Sequence, residues 1–447
     1  MTIKPSDRIA ERFRLTLSES WQRWFDEYAL SLPIAGQFRN TVVAEDLCSD
    51  PRGLLWPGMM RPDTLPLVTN NYGDWLSARV DKNSEIAEVV HWYHGGGDWL
   101  PVGNCMAEAL LHDAVDHFRG SQPQNLRGAE ETLPPNHREE VWHRFSNPDF
   151  SDWLLQQLPC PGSAEKRVVM EAIAETLQRN DYLGCLRVLQ RTKWAEAAVS
   201  CDLVGELLTT PMHRVAGKYN FADPASNLEH HPLFDLGLVD EGQWRQLSDR
   251  LVINRHEQVQ NWDHARQICE QVIRSRQDLG WSFDIAGWAA ERCQEVQTAL
   301  KFYEAGLTAT SFSDQSVRMR TYGPAHGYAK FSVQRFMSLT SRSRPTLETS
   351  LAHATYLDAV CLADFRQRRL AVYNYWLEKG DQKLAEGDFS KAYDCYYLAG
   401  WDLGLESPRI AFEILQRLLL TSEKGGFCAL AEISKSYLQC LAPQELY

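Results

Sequence analysis

Residues 65–103 read LPLVTNNYGDWLSARVDKNSEIAEVVHWYHGGGDWLPVG, and this stretch decides the fold of the first third of the chain. Residues 65–69 are β-prone, and 70–74 carry turn chemistry, Asn70 and Asn71 leading to Gly73 and Asp74. In 75–80, Leu76, Ala78 and Val80 alternate with Trp75, Ser77 and Arg79, which predicts a half-buried strand. The chain turns again at 81–84. In 85–94, Ile86, Glu88, Val90 and Trp92 alternate with Ala87, Val89, His91 and Tyr93, a second strand pattern. Gly95, Gly96 and Gly97 admit positive φ in a tight turn, 99–102 return as a short strand, and Asn104 is placed to cap a helix through about Phe118. The expectation is an antiparallel meander followed by a helix.

The order of short motifs here resembles the SUKH superfamily, the Smi/Knr-type domains of fungal cell-wall regulators and of bacterial immunity proteins that neutralise toxins. The residues that carry the likeness are Leu65-Pro66-Leu67, Tyr72-Gly73-Asp74-Trp75-Leu76, the strand end from His91 to His94, and Gly97-Asp98-Trp99-Leu100-Pro101. Upstream, Trp21, Trp24, Phe25 and Tyr28 at helical spacing, then Leu32-Pro33, look like the family's early helix. The resemblance implies a compact α+β domain over residues 1–120 that binds protein partners. It brings no catalytic residue and no cofactor.

Residues 121–137, rich in Gly, Pro and polar side chains and containing Pro134-Pro135, read as a linker. Beyond it, over 138–447, apolar residues recur at three- and four-residue spacing, the mark of helices. Trp262, Ala265, Cys269 and Val272 match Val296, Ala299, Tyr303 and Gly306 at a shift of 34. Phe389, Ala392, Tyr396 and Ala399 have the same internal spacing, preceded by Trp376 and Gly380, with a Gly387-Asp388 turn and Pro408 at the end; Tyr182, Cys185, Leu189 and Thr192 form a weaker fourth window. These windows resemble tetratricopeptide helical hairpins, in which small residues let helices approach and large ones fill the gaps. The separation of Ala299 from Ala392 is not a multiple of the period, so insertions are expected, one of them over 211–232. The fold class expected is an α+β domain followed by an all-α repeat domain, with a non-solenoid bundle as the alternative for the second part.

Lys and Arg total 46 against 59 Asp and Glu, for a net charge of −13. Neither part has the basic excess that phosphate neutralisation needs, so nucleic acid is not an expected partner; a basic protein would be attracted. No apolar run approaches the ~20 residues that span a bilayer, and the first residues lack a secretory core, so the reading is cytoplasmic with no membrane partner. The 11 cysteines are scattered and form no CxxC, which predicts buried thiols rather than disulfides or a zinc ribbon.

His91 and His94 invite a metal reading, yet on a continuous strand residues three apart face opposite sides, so their imidazoles are expected to diverge. No metal and no cofactor is expected. The glycine run lacks a phosphate-binding motif and precedes Asp98, which would repel phosphate. His112-Asp113 and Asp116-His117 read as a solvated helix face, and His230-His231 as a loop pair. Among the aromatics, Trp21, Trp24, Phe25, Tyr28, Trp75 and Trp92 are expected in the core. Tyr72, Tyr93 and Trp99, interleaved with Asp74, His94 and Asp98 at strand ends and turns, form the expected partner-binding surface. The function expected is therefore non-catalytic, stoichiometric protein binding, as in toxin immunity or the regulation of a partner, with a second protein or peptide surface on the helical repeats. The alternatives are a metal-dependent hydrolase using His91 and His94, or His112 and His117, and a purely structural scaffold.

Overall fold

A computed structural model describes residues 3–29, 36–94, 99–120, 147–160, 165–179, 181–216, 262–308, 331–343, 356, 358–359, 362, 364–400 and 408–441. The linker 121–137, Gly95 to Gly97, Asp98 and His230-His231 lie outside the described residues, as does the expected insertion beyond Ala216. Helices α1 (Pro5–Phe13) and α2 (Glu19–Arg23) come first, and α2 runs into a π-helical turn at Trp24–Tyr28. Strands β1 (Asn40–Thr41), β2 (Thr64–Thr69), β3 (Trp75–Val80), β4 (Ile86–Trp92) and β5 (Trp99–Gly103) follow, with α3 (Ala44–Ser49) between β1 and β2. They form one antiparallel sheet in chain order, the expected meander, and α4 (Met106–Gly120) follows it as the sequence predicts.

Strand register sorts the side chains onto two faces. Leu76 pairs with His91 and Ala78 with Val89, giving one face that is apolar apart from His91. Helix α4 lies over it: the Phe38 ring meets His91 edge-on at 4.9 Å while the Phe38 amide donates to Asp113 of α4. The opposite face carries Trp75, Ser77 and Arg79 in register with Trp92, Val90 and Glu88, and Trp99 beside Trp92. A half-buried strand leaves its polar Ser77 and Arg79 expected on the water side. Instead Ser77 and Trp99 are fully buried and Glu88 nearly so, because the second half of the chain packs onto it.

That second half is helical throughout its described residues. It comprises α5 (Pro148–Gln157), α6 (Lys166–Gln178), α7 (Tyr182–Thr192), α8 (Glu196–Ala216), α9 (Trp262–Ser275), α10 (Gly280–Arg292), α11 (Val296–Gly306), α12 (Phe331–Ser343), α13 (Phe365–Ala385), α14 (Phe389–Leu398), α15 (Pro408–Gly425) and α16 (Cys428–Cys440). Local signals set the starts. Asn147, Asp181, Asp364 and Asp388 each accept a backbone N–H of the first turn, and Pro148 and Pro408 open helices where no amide is needed.

Two hairpins repeat one packing device. A side chain on Gly287 of α10 would overlap the Tyr303 ring of α11, and one on Gly380 of α13 would overlap the Tyr396 ring of α14. The two glycines and the two tyrosines are each 93 positions apart, as are Ala299 and Ala392, so both helices of the hairpin share one offset. The absent Cβ lets an aromatic ring lie flush on the neighbouring helix. Each tyrosine hydroxyl then donates to a carboxylate, Glu291 or Asp381, that also binds an arginine of the next helix, Arg335 or Arg417.

The array returns to the sheet at several places along its length. Near its start, the His112 Nε2 of α4 lies 2.9 Å from Asp202 of α8, and the Ala195 amide donates to Glu108. At the turn from α9 to α10, Arg276 donates to Glu88 at 2.7 Å, and Glu88 also takes Arg79 at 2.5 Å. Near its end, the Arg61 guanidinium sits 3.7 Å from the Trp99 ring, held by Asp63 through two 3.0 Å hydrogen bonds, with Tyr397 of α14 on another side. The Tyr437 hydroxyl of α16 donates to the Arg61 carbonyl at 2.8 Å, and Arg12 of α1 binds Glu432 and Ser436. No helix among the described residues is long and apolar enough to cross a membrane, and the ten described cysteines are all free thiols.

Candidate functional site

The turn joining β2 to β3 is built around Asn70. Its side-chain oxygen accepts the Tyr72 and Asp74 amides at 2.9 Å each, and its amide donates to Asp74 Oδ2 at 3.0 Å. Gly73 takes φ +89, a backbone state glycine enters without strain, and a Cβ there would press on the His94 ring. This fixes Tyr72 outward, 54% exposed. Opposite it, β4 ends at Trp92 and the chain leaves the strand, which swings His94 back toward the turn. The His94 amide and Nδ1 both lie about 3 Å from Asp74 Oδ1, and His91 Nε2 is 3.9 Å from Oδ2.

The imidazoles therefore converge on one carboxylate, against the expected divergence. Period-two alternation holds only while the strand continues, and it stops before His94. Asp74 is mostly buried, which would raise its pKa, but the His91 and His94 imidazoles and the Asn70 amide outweigh burial and hold it well below the usual carboxylate range. Tyr93 stacks on His91 at 3.8 Å and Phe38 meets it edge-on, so two rings hold His91 in place. Asp74 is thus an internal anchor and not a free surface charge.

Of the expected partner-binding residues, Tyr72, Asp74, Tyr93 and His94 come together at this end of the sheet. Asp98 lies outside the described residues. Trp99 does not belong: it is fully buried beneath Arg61, because β5 turns it onto the face that the helical array covers. Trp56, which sequence reasoning missed, is 43% exposed and lies 6.4 Å from Trp92, adding an aromatic at the same end of the strands. No periodic pattern surrounds it, so only its exposure identifies it.

The second candidate group, on α4, is also rearranged. His112 and Asp113 are buried instead of solvated. Burial would strip the His112 proton, but Asp202 reverses this and raises its pKa; Tyr182 donates to the same carboxylate at 3.1 Å. Burial pushes Asp113 up to about 7, opposed by the Phe38 and Gln37 amides. These residues join α4 to α8 and to the loop before β1. His117 is half-buried on the same helix. Among the described residues, no group of three His, Cys, Asp or Glu side chains is placed to hold a metal ion. No family model, curated protein or solved structure matches the chain.

Proposed function

We propose that this chain is a non-catalytic protein-binding protein whose α+β domain, of the SUKH type, engages its partner with the rim formed by Tyr72, His94 and Trp56. The observation that carries this reading is the pre-formed turn: Asn70 and Asp74 hold Tyr72 and His94 out to solvent without spending their exposed surfaces on the fold. Rigid aromatic side chains on a fixed turn lose little entropy on binding and make effective anchors. The meander followed by a packed helix is the architecture that the resemblance implies. The partner is a basic protein, attracted by an acidic chain, as a cationic toxin domain or a regulated enzyme would be. Binding is stoichiometric and takes place in the cytoplasm. The repeating Gly–Tyr hairpins support a tetratricopeptide-like reading of the array.

The Asp74–His94 pair favours one other reading, a hydrolase in which the carboxylate orients an imidazole base. Affinity capture from native lysate with the parent and with Tyr72→Ala/Trp56→Ala separates the readings. Loss of a specific, stoichiometric partner in the folded variant supports the rim. A partner captured equally by both proteins, or no partner at all, sinks it, the latter outcome pointing to a scaffold. Turnover lost on His94→Ala but kept in the aromatic variant would establish the hydrolase instead.

A further inference from the structure

At the far end of β3 from this rim, the turn over residues 81–84 enters the helical array. Lys82 Nζ donates to Asp394 Oδ1 at 2.6 Å, to the Ser390 carbonyl at 3.0 Å and to Ser390 Oγ at 2.9 Å, all on α14. It also lies 5.6 Å from the Tyr393 ring and 5.9 Å from the Phe427 ring, which meet edge-on at 6.1 Å. An anion, two further acceptors and two aromatic rings around one ammonium make a built site for a lysine. Beside it, the N-cap position of α16 is held by Phe427, whose side chain cannot accept an amide. Ser84 supplies the missing acceptor from outside the helix, its Oγ taking the Ala429 amide at 3.2 Å. Ser84 does so with φ +66, left-handed backbone that a side chain rarely adopts. The turn thus presents two prongs, an ammonium and a hydroxyl, to two separate acceptor and donor sites on the array.

We propose that the face formed by α14 and the start of α16 is a recognition site for a lysine-bearing turn, kept filled in the free protein by the chain's own Lys82 and Ser84. The site is at the surface: the Asp394 side chain is 58% exposed and that of Lys82 28%, so a competing turn can reach the carboxylate as Lys82 leaves. The proposal rests on the reading of the array as a second protein-binding surface and names its ligand chemistry. A partner of the array must then displace the hairpin tip.

The test uses the full chain and a synthetic peptide of residues 79–86 as probe. The peptide is expected to bind Lys82→Ala/Ser84→Ala at least tenfold more tightly than the parent, and a peptide carrying Lys82→Ala is expected not to bind. Equal affinity for both proteins, binding that ignores the peptide lysine, or no binding overturns the proposal. Should the double variant fail to fold, hydrogen exchange in Asp394→Asn decides: the Ala429 amide is expected to exchange at least tenfold faster than in the parent, and an unchanged rate overturns the coupling of the two prongs. Rim binding, measured with the partner captured through Tyr72, is unaffected by either result, so failure here and failure of the rim remain distinguishable.

Discussion

The two turns that flank β3 are built alike and end up in opposite surroundings. In each, a leading Asn or Asp accepts the amides two and four residues on: Asn70 those of Tyr72 and Asp74, Asp81 those of Asn83 and Glu85. In each, the residue three positions on has positive φ, Gly73 in one and Ser84 in the other. The first turn stands in solvent and shows Tyr72. The second packs against the helices while staying partly exposed, and there a serine accepts the backbone strain because its hydroxyl caps α16. Equivalent local chemistry thus serves an open rim at one end of the strand and a closed contact at the other, and the difference lies in what the rest of the chain brings to each end.

The most damaging test of the closed side is Glu88→Ala. It strips the nearly buried carboxylate that Arg79 and Arg276 share, so that Arg79 faces Arg276, which keeps only Asp278. A loss of about 3–5 kcal/mol is expected, the range for breaking a buried pair from one side. Chemical denaturation measures it, and a loss below ~1 kcal/mol would mean that the array does not clamp the sheet. The same variant is expected to split a single unfolding transition into two if this contact couples the halves.

The attachment of α4 gives a pH test. Asp113 ionises near its usual value when unfolded but only at about 7 when folded, so the native state holds the extra proton between these limits and stability falls as pH rises from ~4 to ~7. Asp113→Asn is expected to remove that slope, worth on the order of 2–4 kcal/mol. His112, whose folded pKa is raised, contributes stability that is complete below its unfolded value near 6.5 and is lost as pH rises through the folded one. Its loss therefore extends the decline above pH 6.5, and His112→Gln should flatten the upper part alone. Thermal melts across pH 4–9 check both.

Smaller effects compare the two turns directly. Gly73→Ala is expected to cost about 1–2 kcal/mol, since it forces a side chain into left-handed backbone and against His94. At the other turn the same conformation is already in place, so Ser84→Ala should cost ~1 kcal/mol through the lost cap, and Ser84→Gly less, because relief of backbone strain offsets it. Equal costs for the two Ser84 variants would remove the strain argument. The least effect belongs to the open rim: Tyr72→Ala should change stability by under about 0.5 kcal/mol while weakening partner capture.

Much of the fold was legible without coordinates. The β3 and β4 alternation, the Asn70 and Asp388 turn signals, the helix after Asn104 and the helical spacing around Ala265, Ala299 and Ala392 all rest on periodicity or on hydrogen bonds between near neighbours. The hairpin glycine Gly287 escaped notice although Gly380 did not, because its place depends on its distance from Tyr303 in the following helix. The rim was legible as far as Tyr72 and Asp74, where turn chemistry is local. It was misjudged at Trp99, which distant helices cover, and in the divergence of His91 from His94, because the strand stops between them.

The sequence by itself determined which segments are strands, turns and helices, since backbone hydrogen bonding and side-chain alternation act over a few residues. The tertiary structure alone decided that the polar face of the sheet is covered, that His112 meets Asp202 and Glu88 meets Arg276, and that His91 and His94 share Asp74. The physical reason is that burial and charge pairing depend on which groups approach through space. A buried charge is tolerated only when its partner arrives, and that partner here comes from 90 or 188 positions away along the chain.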